Sequence, residues 1–89
     1  MNAVLSKFAD NFSETAIDDE IVVMNLASGD FFSLTGTARA IWLLLDGTRD
    51  LTAVTAALAA DYGAEPDAIG PEVADFVTEL EAAGLIRRG

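Results

Sequence analysis

Apolar and polar positions change period partway along the chain. From residue 12 to residue 34 the pattern is that of short strands. Phe12 to Ile17 is bounded by two apolar anchors, Phe12 and Ile17, and Asp18-Asp19 follows as a turn. Glu20-Ile21-Val22-Val23-Met24-Asn25-Leu26 is rich in β-branched residues, which favour a pleated, half-buried surface. Ala27-Ser28-Gly29-Asp30 has turn chemistry, with Gly29 free to take a positive φ. Phe31-Phe32-Ser33-Leu34 then returns as the second arm of a hairpin.

Beyond residue 35 the period lengthens to that of a helix. Ala38, Ile41, Trp42 and Leu45 fall at i, i+3, i+4 and i+7, with Thr35 or Thr37 as cap and Gly47 as stop. Leu51, Val54, Leu58 and Tyr62 make a second stripe between Asp50 as N-cap and Gly63. Ile69, Val73, Phe76, Val77 and Leu80 make a third. Pro66 suits its start, but Gly70-Pro71 predicts a kink or a true start at Pro71, because an interior proline clashes with the preceding turn. Gly84 ends this helix, and Leu85-Ile86 packs back ahead of the basic Arg87-Arg88.

Three short strands followed by three helices predict an α+β domain, with a three-stranded antiparallel sheet and a winged helix-turn-helix-like outline. Residues 12–89 form that domain. Residues 1–11 are expected to be an N-terminal tail, frayed over 1–10, although Val4, Leu5 and Phe8 suit a short amphipathic turn. The apolar run Ala40 to Leu45 is far short of the ~20 residues that cross a bilayer, and the N-terminus does not resemble a secretory signal. A cytoplasmic location is the expectation.

Composition narrows the chemistry. At 89 residues with 52% apolar content, the chain suffices for one thin core. It has no Cys and no His, which removes thiol catalysis, disulfides, Cys/His zinc sites and the usual imidazole base. Asp18-Asp19 reads as a turn rather than a metal or acid/base pair. Ser6, Ser13, Ser28 and Ser33 have no evident base to activate them. An acyl carrier would need an Asp-Ser-Leu at a helix start, and no Asp-Ser pair exists. No metal site, cofactor or catalytic residue is therefore assigned.

Fifteen acids against five bases give a net charge of −10. The winged outline suggests DNA, but Lys7, Arg39, Arg49, Arg87 and Arg88 do not cluster, and the third helix carries Glu72, Asp75, Glu79 and Glu81. Such a surface repels phosphate backbones and anionic membranes, so neither nucleic acid nor membrane is expected as a partner. Peptide binding fits better. A three-stranded sheet leaves open edges, and an open edge is a row of unpaired backbone groups ready for a guest strand or a second copy of the chain. Phe31-Phe32 places one aromatic on each sheet face, one for the core and one as a pocket wall. The acids of the third helix are a solvated face, or partners for a cationic peptide. A protein-binding acidic winged-helix regulator is the alternative on the same features.

Three stretches in order resemble the PqqD family. They are Glu20 to Leu34 as its hairpin, Thr37 to Arg49 as its first helix with the following Asp46-Gly47, and Glu72 to Leu80 with Gly84-Leu85-Ile86 as its third helix and ending. The similarity spans about residues 14–87. It implies a non-catalytic recognition element for ribosomally made, post-translationally modified peptides. Such an element binds the leader of a precursor peptide as an antiparallel strand and presents the precursor to a leader peptidase, cyclase or radical enzyme. Carried onto this chain, the docking strand is Asp30, Phe31, Phe32, Ser33 and Leu34. The helix side of the groove draws on Glu72, Val73, Phe76, Val77 and Leu80. Members serving pyrroloquinoline quinone synthesis carry Pro-Glu-Gly, Leu-Asn and Gly-Trp where this chain has Ala27-Ser28-Gly29, Leu34-Thr35 and Gly84-Leu85. That departure favours a lasso-peptide type of element over a quinone chaperone.

Overall fold

The computed structural model describes residues 3–89. Along the chain come β1 (Leu5–Lys7), a 3-10 turn (Ala9–Asn11), β2 (Phe12–Ile17), β3 (Glu20–Asn25) and β4 (Phe31–Leu34). Then follow α1 (Gly36–Leu44), α2 (Leu51–Tyr62), α3 (Pro66–Ala82) and β5 (Ile86–Arg88). The architecture is α+β, with an antiparallel sheet ordered β2-β3-β4, three helices after it, and a two-stranded ribbon of β1 and β5. No helix of the described residues is long and apolar enough to cross a membrane.

The hairpins form where turn chemistry allows. Asp18 takes a φ of 53° between β2 and β3, a left-handed conformation that Asp tolerates better than most side chains. Gly29, at φ 77°, turns β3 into β4. Strand alternation then sends Ile21, Val23, Phe32 and Leu34 to one face. There Ile21, Val23 and Leu34 are buried with Ile41 and Trp42 of α1, Val54 and Leu58 of α2, and Val73, Val77 and Leu80 of α3. Trp42 has no exposed surface. Its ring system and that of Phe12 meet edge to face, 5.2 Å between centroids and 71° between planes, and the Lys7 ammonium sits 4.6 Å from the Trp42 ring centroid. Burial pulls the Lys7 ammonium below its ordinary range, opposed by the negative charges of Glu14 and Asp46.

The second helix is capped as its sequence predicts. The Asp50 carboxylate accepts the Ala53 N–H, and Gly63 closes the helix at φ 64°. Tyr62, however, is half exposed and stands outside the core. Thr35 occupies the N-cap position of α1 without a side-chain cap bond. α3 runs unbroken from Pro66 through Pro71. A proline there removes the donor for the Asp67 carbonyl, but that first turn is exposed and water can satisfy the carbonyl.

The N-terminal segment departs most from expectation. Of the residues 1–11 set aside as a tail, 1 and 2 lie outside the described residues. Leu5–Lys7 is a strand paired antiparallel with Ile86–Arg88, and Leu5 has no exposed surface. The cause is hydrogen bonding on both sides of one apolar residue. β5 flanks β1 on one side. On the other, Leu5 N–H donates to Arg49 O at 2.8 Å and Gly47 N–H donates to Leu5 O at 3.0 Å. The α1–α2 loop is itself braced by Asp46, which accepts from Thr48 N–H at 3.0 Å, Thr48 Oγ1 at 2.6 Å and Arg49 Nη1 at 2.6 Å. The Thr48 hydroxyl and amide, then Arg49, hold the Asp46 carboxyl below its ordinary value.

Leu5→Ala is expected to lower unfolding free energy by about 2–5 kcal/mol, read by urea denaturation, because it empties a closed core site. The Asp46 carboxyl is depressed in the folded state. Its stabilisation is therefore complete above the ordinary value of 3.8 and disappears as pH falls through the lower folded value. Asp46→Asn should accordingly flatten the acid limb of a thermal-stability profile while leaving its alkaline limb unchanged.

Candidate functional site

β4 is an edge strand. Among the described residues it pairs only with β3, in the register Ile21–Leu34, Val22–Ser33, Val23–Phe32 and Met24–Phe31. The ladder decides which groups stay free. Asn25 N–H donates to Asp30 O at 2.8 Å, which makes that pair a bonded one. Antiparallel pairs alternate, so Phe32 and Leu34 spend their amides and carbonyls on β3. Phe31 and Ser33 direct theirs to the outer edge. The N-terminal strand does not cover this edge, because β1 lies against β5 and the α1–α2 loop.

The two phenylalanines divide as alternation requires. Phe32 packs against the core, whereas Phe31 is 69% exposed on the far face of the sheet, level with Met24. Ser33 shares that face, and its hydroxyl donates to a Glu20 carboxylate oxygen. Asp30 lies just before β4, with its N–H on Ser28 Oγ at 3.2 Å and its carbonyl on Asn25. Asp30 thus closes the turn and offers no backbone group to the edge.

A groove of about 480 Å³ opens between α1 and α3, lined by Ala38, Ile41, Glu72, Asp75, Phe76 and Glu79. The two features are joined through α1, into which β4 runs after Thr35. α3 is held against the sheet from its far end. The Asn25 Nδ2 group donates to Ala83 O at 2.8 Å, while its Oδ1 accepts from Ala27 and Ser28 N–H. The Asn11 Nδ2 group donates to Gly84 O at 3.1 Å. One side chain, Asn25, therefore fixes both the β3–β4 turn and the seat of the third helix.

Of the residues that the sequence assigns to the helix side, Glu72 and Phe76 line the groove. Val73, Val77 and Leu80 are buried in the core, on the neighbouring face of α3, as is Leu34 on the sheet. They form the support behind the site. Ala38 and Ile41 line the groove but read in sequence only as part of a helical stripe. Nothing in a pattern distinguishes a helix residue that faces a groove from one that faces the core. Among the described residues, no group of three or more Asp and Glu side chains is placed to hold a metal ion. The site offers a strand edge, an apolar slot and a carboxylate rim, which suit an extended peptide.

The chain is similar to known proteins in sequence pattern and in fold. The sequence model of the family described as coenzyme PQQ synthesis protein D (PqqD) matches residues 20–86. Among solved structures, "TbiB1 in Complex with the TbiA(beta) Leader Peptide" is similar with a TM-score of 0.80 at 27% identity, covering 91% of this chain and 94% of that one. A structure described as "Lasso peptide synthetase B1 complexed with the leader peptide" has a TM-score of 0.80 at 24% identity, covering 96% and 99%. The second likeness is one of fold. No curated protein sequence matches the chain. The edge geometry is checked by amide hydrogen exchange followed by NMR. Phe32 and Leu34 should be protected and Phe31 and Ser33 should exchange faster, by about tenfold or more, in the free protein.

Proposed function

The chain belongs to the PqqD family, and from that premise we propose that it is a binding element without catalysis of its own, which takes up the leader of a ribosomally made precursor peptide. The leader adds as a strand on the outer edge of β4, and its inward side chains enter the groove between α1 and α3. Presentation to a leader peptidase or another modifying enzyme, in lasso-type or related biosynthesis in the cytoplasm, completes the role. The observation that carries this reading is the unpaired edge of β4, which leads directly into α1, together with the groove that α1 and α3 line. It is supported by the likeness to TbiB1, a protein whose solved structure contains a leader peptide.

Magnitudes show why both parts of the site are needed. Backbone pairing to Phe31 and Ser33 yields about 0.5–1.5 kcal/mol net per hydrogen bond. Ordering the guest costs about 1–2 kcal/mol per residue. The edge alone therefore gives no tight complex, while micromolar affinity needs about −8 kcal/mol. Each leader side chain fully buried in the groove adds about 1.5–3 kcal/mol. The edge sets direction and register, and the slot supplies affinity.

Two substitutions separate these contributions. Ser33→Pro removes one outward amide while sparing the β3–β4 bonds, and should weaken binding of a labelled leader about two- to tenfold. Phe76→Ala strips one wall of the slot and should weaken it more, by about tenfold or above. Fluorescence anisotropy on variants with native circular dichroism measures both. Unchanged affinity in both variants overturns the proposal.

A further inference from the structure

The groove carries information about its guest beyond apolar contact. Along α3, Glu72, Asp75 and Glu79 line it together with Phe76, so carboxylates flank the aromatic wall above and below. None of the three is neutralised from within the described residues. Arg49 pairs with Asp46 and Arg88 with Glu81. Lys7 lies over Trp42 and Arg87 over Phe8. Arg39 is not among the lining residues. Asp75 therefore stands at i+3 from Glu72 and at i−4 from Glu79 with no intervening cation, an arrangement that costs helix stability. Glu72, Asp75 and Glu79 are all exposed, so each pairing made with them is individually weak and screened by salt.

Resting on the reading of this site as a leader groove, we propose that it selects a leader segment in which an apolar side chain is flanked by Lys or Arg two residues to either side. The spacing follows from two repeat lengths. At about 1.5 Å rise per helical residue, Glu72 lies roughly 6 Å from Phe76 along α3 and Glu79 roughly 4.5 Å in the other direction. An extended guest advances about 3.3 Å per residue, so same-side neighbours of its apolar anchor stand roughly 6.6 Å away on each side. With the anchor against Phe76 and the guest running along α3, those neighbours reach the two outer carboxylates, and Asp75 sits between them. The net charge of −10 adds a longer-range attraction for the same guest. A neutral or acidic segment would leave the three carboxylates without a counter-charge.

Selection from an mRNA-displayed library of random peptides against the full chain tests this. The expected pool has an apolar residue with Lys or Arg at both second neighbours. Its peptides should bind the triple variant Glu72→Gln, Asp75→Asn, Glu79→Gln about three- to tenfold more weakly, with a reduced salt dependence. An enriched pool that loses binding on Phe76→Ala but shows no basic flanks overturns the charge rule and leaves the groove reading intact. So does a triple variant that binds the pool unchanged. A pool indifferent to both Phe76→Ala and Ser33→Pro, or no enrichment at all, overturns both.

Discussion

Burial of one face of the β3–β4 hairpin against α1 is the constraint on which the rest depends. Ile21, Val23 and Leu34 reach the core together only in a single register, and a slip of either strand by one residue would turn its own inward residues to solvent. That register also decides which backbone groups of β4 are used internally. The amides that remain at the edge are thus a consequence of core packing, since the same alternation that buries Phe32 and Leu34 leaves Phe31 and Ser33 outward. An open edge for strand pairing is built into the way the core closes.

The N-terminal strand supports this arrangement from a distance. A small domain with an open sheet edge invites its own loose ends to fill it. Here the first strand is consumed elsewhere, clamped between β5 and the loop braced by Asp46. The closure joins both ends of the chain, adds Leu5, Leu85 and Ile86 to a thin core, and keeps the N-terminal strand off β4. Asn25 and Asn11 complete it by tying the end of α3 to the turns.

Most of the fold was legible because its elements announce themselves locally. The β2–β4 strands, the Asp50 cap and the Gly63 stop all follow from short-range chemistry. What was hidden depends on contacts remote in sequence. Leu5–Lys7 and Ile86–Arg88 are three residues each and are strands only because they meet each other. Pro71 looked like a boundary because the pattern does not reveal that the turn before it faces water. Within the site, the strand edge and Phe76 were readable. A helical stripe, however, lumps Val73, Val77 and Leu80, which serve the core, with positions bordering the groove. Ala38 and Ile41 were hidden for the same reason, since only the placement of α3 makes them a wall.

The free edge of β4 has a last consequence. Occupying an edge does not abolish it but shifts it outward by one strand, so the added segment presents its own row of unsatisfied donors and acceptors. A sheet extended this way would go on recruiting segments unless its newest member ends the series. Any segment added there therefore has to contribute a terminator of its own, such as a proline, a charged flank or simple brevity. This requirement falls on the added segment and not on the strand that provides the template.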